Sequence, residues 1–265
     1  RQLMQLEMYQ VAAFTSQAFG GNPAAVVPLE SWIDDALMQR IAKENNLSET
    51  AFFVPVGDGE WEIRWFTPSV EVPLCGHATL ASAAVIRDRL RQADWPITLH
   101  SASGALTVDT DGSSFVLDLP ANPPQPVETP EGLNEALGVE TVGETMLGRD
   151  IYMVVLPDEA AVAALSPDFA ALAEIIGHGL VVTAPGNEVD FVSRFFAPAI
   201  GIDEDPVTGA AHCLLTPYWA ARSGKKTLQA RQISDRVGHL ECEACDDRVR
   251  LTGRAVFFLD GRISI

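Results

Sequence analysis

Positive charge is scarce in this sequence. Lys and Arg number 18 against 36 Asp and Glu, a formal net charge of −18 over 265 residues. Such a chain repels a phosphate backbone, and no basic cluster offsets the field, so nucleic acid is excluded as a partner. An anionic membrane surface is disfavoured on the same ground. No run of about 18 apolar residues exists, so no transmembrane helix is expected. The stretch Arg1 to Gln10 is polar and lacks the apolar core of a signal peptide, which makes the cytoplasm the expected location. Cysteine is sparse too. Cys75, Cys213, Cys242 and Cys245 are too few for a disulfide framework in a chain this long. Cys242 and Cys245 form a C-x-x-C, but a zinc ribbon needs a second pair. Their flanks read as strand and turn, not as the strand-to-helix setting of thioredoxin-like chemistry, so ordinary strand or turn cysteines are expected. There is no G-x-G-x-x-G after the first strand, no G-x-x-x-x-G-K-[ST] and no G-x-S-x-G. His212 and Cys213 are adjacent and lack metal-ligand spacing. No cofactor and no metal are expected, and chemistry must come from side-chain acids and bases.

What the chain does contain is itself, twice. Ile63-Arg64-Trp65-Phe66-Thr67-Pro68 leads through a short loop to Cys75-Gly76-His77-Ala78-Thr79 and an alanine-rich segment ending near Arg91. Ser193-Arg194-Phe195-Phe196-Ala197-Pro198 leads to Thr208-Gly209-Ala210-Ala211-His212 and a second such segment ending near Gly224. Each continues into a strand-like stretch with a turn, Ile97 to Val108 and Thr227 to Cys242. Strand, loop, glycine-opened helix and hairpin in the same order twice indicate two similar halves. With 47% hydrophobic residues, each half can bury a core. Between them Pro120-Ala121-Asn122-Pro123-Pro124-Gln125-Pro126 blocks both helix and sheet and reads as a linker. The boundary is expected near residue 123, giving lobes 1–123 and 124–265, with the last strand free to return to the first lobe.

Periodicity supplies the coarse elements. Strands are expected at Leu6 to Phe14, Ala24 to Val27, Val116 to Leu119, Tyr152 to Leu156, Gly179 to Thr183 and Ala255 to Leu259. Ile33, Leu37, Ile41 and Ala42 mark a helix over Asp34 to Asn45. Ala51 to Val56 and Trp61 to Phe66 form a hairpin around Gly57-Asp58-Gly59. Strands and helices mix without regular βαβ alternation, which points to α+β halves.

Both repeats open a helix with glycine, Gly76 and Gly209. A helix N-terminus carries unpaired N–H groups and about half a positive charge, which suits a carboxylate or a developing negative charge. That attraction is local, so it works despite the acidic whole. The glycines either admit a ligand closely or simply start helices. Four groups are candidates for acid–base work. Glu49 is a candidate base or a solvated surface carboxylate. His77, at a helix start, favours its neutral form and either handles protons or makes a structural hydrogen bond. Asp205 is either a reacting group or a helix-start acid, with Thr208 a candidate N-cap. Cys75 is a thiol acid–base or a small buried hydrophobe.

Several motifs together resemble the PhzF-like family. They are Phe14-Thr15 with Phe19-Gly20-Gly21-Asn22-Pro23-Ala24-Ala25-Val26-Val27, Asn46-Leu47-Ser48-Glu49-Thr50, Arg64-Trp65-Phe66-Thr67-Pro68, Leu74-Cys75-Gly76-His77-Ala78-Thr79 and Glu204-Asp205-Pro206-Val207-Thr208-Gly209. They run in order across nearly the whole chain. The family groups with diaminopimelate epimerases and proline racemases. The resemblance implies two pseudo-symmetric lobes, each a mixed sheet or barrel around a central helix, with the active site in the cleft between them. It implies a cofactor-independent isomerase acting on a small carboxylic acid, with Glu49 as general acid/base, His77 and Asp205 assisting, and Gly76, Gly209, Ala210 and Cys75 lining the substrate. Two positions depart from the pattern. Ala210 stands where serine follows the T-G, removing one hydrogen bond to substrate. Cys75 stands where alanine precedes the G-H. In the epimerase relatives a catalytic cysteine holds that place, but their second cysteine, near Val207 here, is missing. A single-cysteine racemase or epimerase, or a non-catalytic ligand-binding or interaction protein, are the alternatives. The implied partner is a small carboxylate, and a homodimer is the default assembly.

Overall fold

The fold is built twice. The computed structural model describes residues 4–92 and 94–265; the first three residues of the polar stretch Arg1 to Gln10 lie outside the described residues. One unit comprises Arg1–Asp118 with Thr252–Ile265, the other Leu119–Leu251.

The first unit contains β1 (Gln5–Ala13), β2 (Asn22–Pro28), α1 (Asp35–Asn45), β3 (Glu49–Gly57), β4 (Glu60–Phe66), β5 (Glu71–Val72), α2 (Gly76–Asp88), β6 (Ile97–Ser101), β7 (Gly104–Thr110) and β8 (Phe115–Pro120). β1 pairs antiparallel with β2 and with the last strand, Ala255–Ser264. β2 runs parallel to β3, and β3 antiparallel to β4. β4 then pairs antiparallel with β5 and parallel with β6, and β6, β7 and β8 follow antiparallel. The expected hairpin over β3 and β4 and the expected helix α1 both form. α2 is buried from His77 through Ile86 and packs on β1, β2 and β3. A helix covered on all sides is a core helix, and its alanines, Ala78, Ala81, Ala83 and Ala84, let the strands come close.

The second unit contains β9 (Gln125–Pro126), α3 (Leu133–Leu137), β10 (Thr145–Gly148), β11 (Ile151–Val155), α4 (Glu159–Ala163), α5 (Phe169–Ile175), β12 (Gly179–Pro185), β13 (Phe191–Ala197), β14 (Ile202–Asp205), α6 (Gly209–Ser223), β15 (Thr227–Gln232), β16 (Gly238–Cys245) and β17 (Arg248–Gly253). Its pairings repeat those of the first. β10 is antiparallel to β11, β11 parallel to β12, and β12 antiparallel to β13. β13 pairs antiparallel with β14 and parallel with β15, and β15 antiparallel with β16. α4 and α5 stand where the first unit has α1, and their Val162 and Leu172 join Val154, Leu180, Val182 and Phe196 in a buried core. Helices of five to seven residues such as α3, α4 and α5 are too short to show a helical period, so the sequence pattern does not reveal them.

The repeat extends to individual side chains. Arg64 on β4 grips Glu71 on β5 with two hydrogen bonds of 2.7 Å, and Arg194 on β13 grips Glu204 on β14 with two of 2.8 Å. Arg64 lies over the Phe66 ring and Arg194 over Phe196. Ser103 donates to the Pro73 carbonyl at 2.8 Å, and Ser234 to the Pro206 carbonyl at 2.9 Å. Each serine sits past the first strand of its hairpin and ties it to the loop that precedes the glycine-opened helix. The α+β expectation of two like halves, each with a sheet wrapped on a central helix, is what the chain forms.

The proline-dense stretch is anchored, not a free linker. Gln125 and Pro126 form β9, paired antiparallel with β10. Pro217 inside α6 has no N–H for the carbonyl of Cys213, four residues back. That carbonyl accepts from the Asn122 N–H at 3.0 Å instead. The helix interruption and the linker thus satisfy each other. Cys242 and Cys245 both lie on β16, three residues apart and so on opposite faces, with Cys242 buried.

Candidate active site

Two turns deliver the polar side chains of the first unit. α1 ends at Asn46, in the left-handed region at φ 50°, whose N–H bonds back to the Ala42 carbonyl. Asn45 then donates to Thr50 Oγ1 at 3.1 Å, fixing the start of β3 where Ser48 and Glu49 sit. The loop from β1 to β2 is tighter. Phe14 and Phe19 have φ of 62° and 70°, and Gly21 has φ 61°. A Cβ on Gly21 would lie 2.2 Å from the Ala13 carbonyl oxygen, so only glycine fits there. The next residue, Asn22, begins β2. Parallel pairing of β2 with β3, with Ala24 opposite Glu49, brings Asn22 and Glu49 to the same end of the sheet.

His77, in the first turn of α2, is the meeting point. Its Nε2 lies 3.3 Å from Glu49 Oε2, with the two side chains 5% and 13% exposed. Its Nδ1 lies 3.2 Å from Asn22 Nδ2 and 3.4 Å from Cys75 Sγ. Ser48 donates to Asn22 Oδ1 at 3.2 Å. Burial pushes the His77 imidazole down to about 3, so it is neutral near pH 7. Cys75 is the N-cap of α2, in extended conformation, and its side chain makes no cap hydrogen bond. Its carbonyl accepts from Thr79 Oγ1 at 2.5 Å.

Glu49, Cys75 and His77 bring one ligand atom each within 4.8 Å of one another, the only such group among the described residues. The donor set would suit a soft divalent cation. However, Nδ1 already faces the Asn22 amide, and Nε2 faces the Glu49 carboxylate. The imidazole thus offers an incoming cation or proton only Nε2, beside a carboxylate oxygen with which it makes no hydrogen bond.

In the second unit Asp205 ends β14 and is buried. Thr208, the N-cap of α6, does not cap the helix with its hydroxyl but donates it to Asp205 Oδ2 at 2.5 Å. Gln232 holds both: its Oε1 accepts from the Thr208 N–H at 2.8 Å, and its Nε2 donates to the Asp205 carbonyl at 2.7 Å. His212 Nδ1 donates to the Thr208 carbonyl at 2.8 Å, the counterpart of Thr79 on Cys75. Gly209 is buried and Ala210 exposed at the start of α6. Glu49, Cys75, Gly76 and His77 therefore gather in one unit, and Asp205, Gly209 and Ala210 in the other.

Asn22, Ser48 and Gln232 hydrogen-bond to these candidate residues or to their neighbours, and residue-type reasoning passes over them. Amides and hydroxyls do not titrate, and Asn22 between Gly21 and Pro23 reads as a turn. The one signal was the concentration of glycine just before it.

The structure has the architecture shared by the epimerase class. A hydroxyproline epimerase from Agrobacterium vitis, only 10% identical, superposes with a TM-score of 0.66, covering 100% of this chain and 92% of that one. A PhzF-family protein from Enterococcus faecalis superposes with a TM-score of 0.95 at 45% identity, covering 99% of this chain and 100% of that one. A Pseudomonas aeruginosa protein named as an uncharacterized isomerase is 49% identical over 262 residues, 99% of this chain and all of its own length. Kinship identifies an isomerase. Residues 11–261 match the PhzC-PhzF family, described as phenazine biosynthesis-like protein, and the chain belongs to that family. Among the described residues no helix is long and apolar enough to cross a membrane.

Proposed function

We propose that the protein is a cofactor-independent isomerase that relocates a proton on a small carboxylic acid, with Glu49 as the group that carries the proton. The observation behind this reading is the placement of the Glu49 carboxylate 3.3 Å from a buried, neutral imidazole. Glu49 as carboxylate takes a proton from a carbon beside an activating group. The C–H electron pair moves into that group, leaving an enolate-like charge. Glu49, now protonated, returns the proton to a different carbon, and no net proton is gained or lost. The N-terminus of α2 at Gly76 favours the negative charge, and the neutral His77 donates a hydrogen bond without adding a charge. Asp205, held by Thr208 and Gln232, is assigned to orienting the substrate, with Gly209 and Ala210 beside it. Ala210 brings no hydroxyl, so a substrate that needs a hydrogen bond there is a poor one.

A second reading has its own observation, the Cys75 thiol 3.4 Å from His77 Nδ1. A single-cysteine racemase would use that nitrogen to take the thiol proton. The Asn22 amide already faces it, which ranks the thiol second.

The test is solvent-deuterium incorporation. Wild type, Glu49→Gln and Cys75→Ala are incubated in D₂O with small cyclic and amino carboxylic acids, a dihydro-hydroxyanthranilate among them, and proton NMR follows exchange at carbon. Exchange that survives in Cys75→Ala and disappears in Glu49→Gln supports the proposal. The opposite pattern moves the chemistry to the thiol.

A further inference from the structure

A histidine that works as a neutral donor must carry its one proton on the correct nitrogen. Nothing in the imidazole itself decides which, so the neighbours must. We infer that Asn22 is the positioning residue that fixes His77 as its Nε2–H tautomer, so that the N–H faces Glu49.

The polarity runs through three contacts. Ser48 donates its hydroxyl to Asn22 Oδ1 at 3.2 Å. This turns Asn22 Nδ2, a donor only, toward His77 Nδ1 at 3.2 Å. Nδ1 must then be the unprotonated, accepting nitrogen, which leaves the proton on Nε2, 3.3 Å from Glu49 Oε2. Cys75 Sγ, at 3.4 Å from Nδ1, can donate its S–H or lie passively, and neither conflicts. The reversed amide is also self-consistent at Ser48, since a hydroxyl can accept. It would put Oδ1 against Nδ1, draw the proton there, and leave the Nε2 lone pair facing the Glu49 carboxylate. Lone pair against carboxylate repels even at 3.3 Å without a formed hydrogen bond, so the first arrangement is the favoured one. Because burial keeps the ring neutral near pH 7, a single tautomer is what the site presents.

The fold fixes the amide firmly. Gly21, at φ 61° with no room for a Cβ, aims the chain into Asn22, and the side chain of Asn22 is fully buried. The cost of such a loop makes sense if the direction of one amide matters.

The inference rests on the proposed acid–base role only for its effect on turnover. The tautomer is measured independently. Long-range ¹H–¹⁵N correlation on uniformly labelled full-length protein near neutral pH, with His77→Gln to assign the ring, shows which nitrogen is protonated. The expected wild-type result is pyridine-like Nδ1 and pyrrole-like Nε2. In Asn22→Asp, equal in size and opposite in polarity, the carboxylate accepts from Nδ1–H, so the ring should invert or become doubly protonated. Turnover should then fall by about 10²-fold or more, as with other wrong-tautomer histidines. Asn22→Ala should shift part of the population to the Nδ1–H tautomer, since Nε2 makes no hydrogen bond to the carboxylate that would hold its proton there alone. A pyrrole-like Nδ1 in wild type overturns the inference, and that spectrum decides even where a variant fails to fold. Retention of the wild-type tautomer in Asn22→Ala also overturns it. The expected tautomer in a protein whose Glu49→Gln variant keeps full turnover would sink the acid–base reading of Glu49 and leave the positioning intact.

Discussion

Nε2 of His77 and Oε2 of Glu49 are 3.3 Å apart, although the β3–β4 hairpin, β5 and a loop separate the residues in sequence. This pair makes the sharpest prediction. Glu49→Gln keeps the size and removes the base, so turnover should drop by about 10²–10⁴-fold. Circular dichroism and the urea midpoint should stay near wild type, which separates lost chemistry from lost structure.

Cys75→Ala should retain turnover within about tenfold, because the predicted proton carrier is a carboxylate and general acid–base contributions larger than that belong to Glu49. Steady-state rates against Glu49→Gln make the comparison. Abolition in the cysteine variant would make the thiol the reacting group.

Gly21→Ala should destabilise the protein by about 1–3 kcal/mol, the usual cost of backbone strain at such a site. The left-handed φ and the 2.2 Å approach to the Ala13 carbonyl both resist a Cβ. Urea unfolding measures the loss. Since Asn22 follows directly, kcat should fall further than the unfolded fraction accounts for.

The two arginine–glutamate forks should differ in strength. The Arg194 and Glu204 side chains are 13% and 20% exposed, against 26% and 40% for Arg64 and Glu71. Arg194 also donates to the Leu165 carbonyl at 2.8 Å. Double-mutant cycles should give a coupling of about 1.5–3 kcal/mol for the more buried pair. The more exposed pair should stay below about 1 kcal/mol, and its coupling should weaken with salt.

Acid should destabilise the protein through His212. Burial holds this imidazole down to about 4 from an ordinary 6.5. Between those values the unfolded chain binds a proton that the folded chain refuses. Stability is therefore complete above about pH 6.5 and declines as pH falls toward 4, with a limiting slope near 1.4 kcal/mol per pH unit. Urea midpoints across this range should fall less steeply in His212→Gln. His77 contributes in the same direction, down to about 3.

The repeated fold was legible because its signals are local. Arg64-Trp65-Phe66 and Arg194-Phe195-Phe196 mark equivalent strands, and glycine after Cys75 and after Thr208 marks equivalent helix starts. Each is set by propensity within a few neighbours. α3, α4 and α5 left no such trace, and the anchoring of the proline-rich stretch depends on Pro217, far away in sequence, freeing the Cys213 carbonyl.

The sequence by itself determined that there are two like α+β halves, that Glu49, Cys75, His77 and Asp205 are the groups with chemistry to offer, and that glycines open both core helices. These follow from residue type, spacing and backbone freedom, which need no partner. Only the tertiary structure decided how those groups are wired. Asn22 reaches His77 across 55 positions of sequence and Ser48 across 26. Parallel pairing of β2 with β3 brings Asn22 close to Ser48 and Glu49, and burial of α2 makes the imidazole neutral. The direction of a hydrogen bond and the protonation of a ring are properties of an enclosed neighbourhood, and a neighbourhood exists only once the chain has folded.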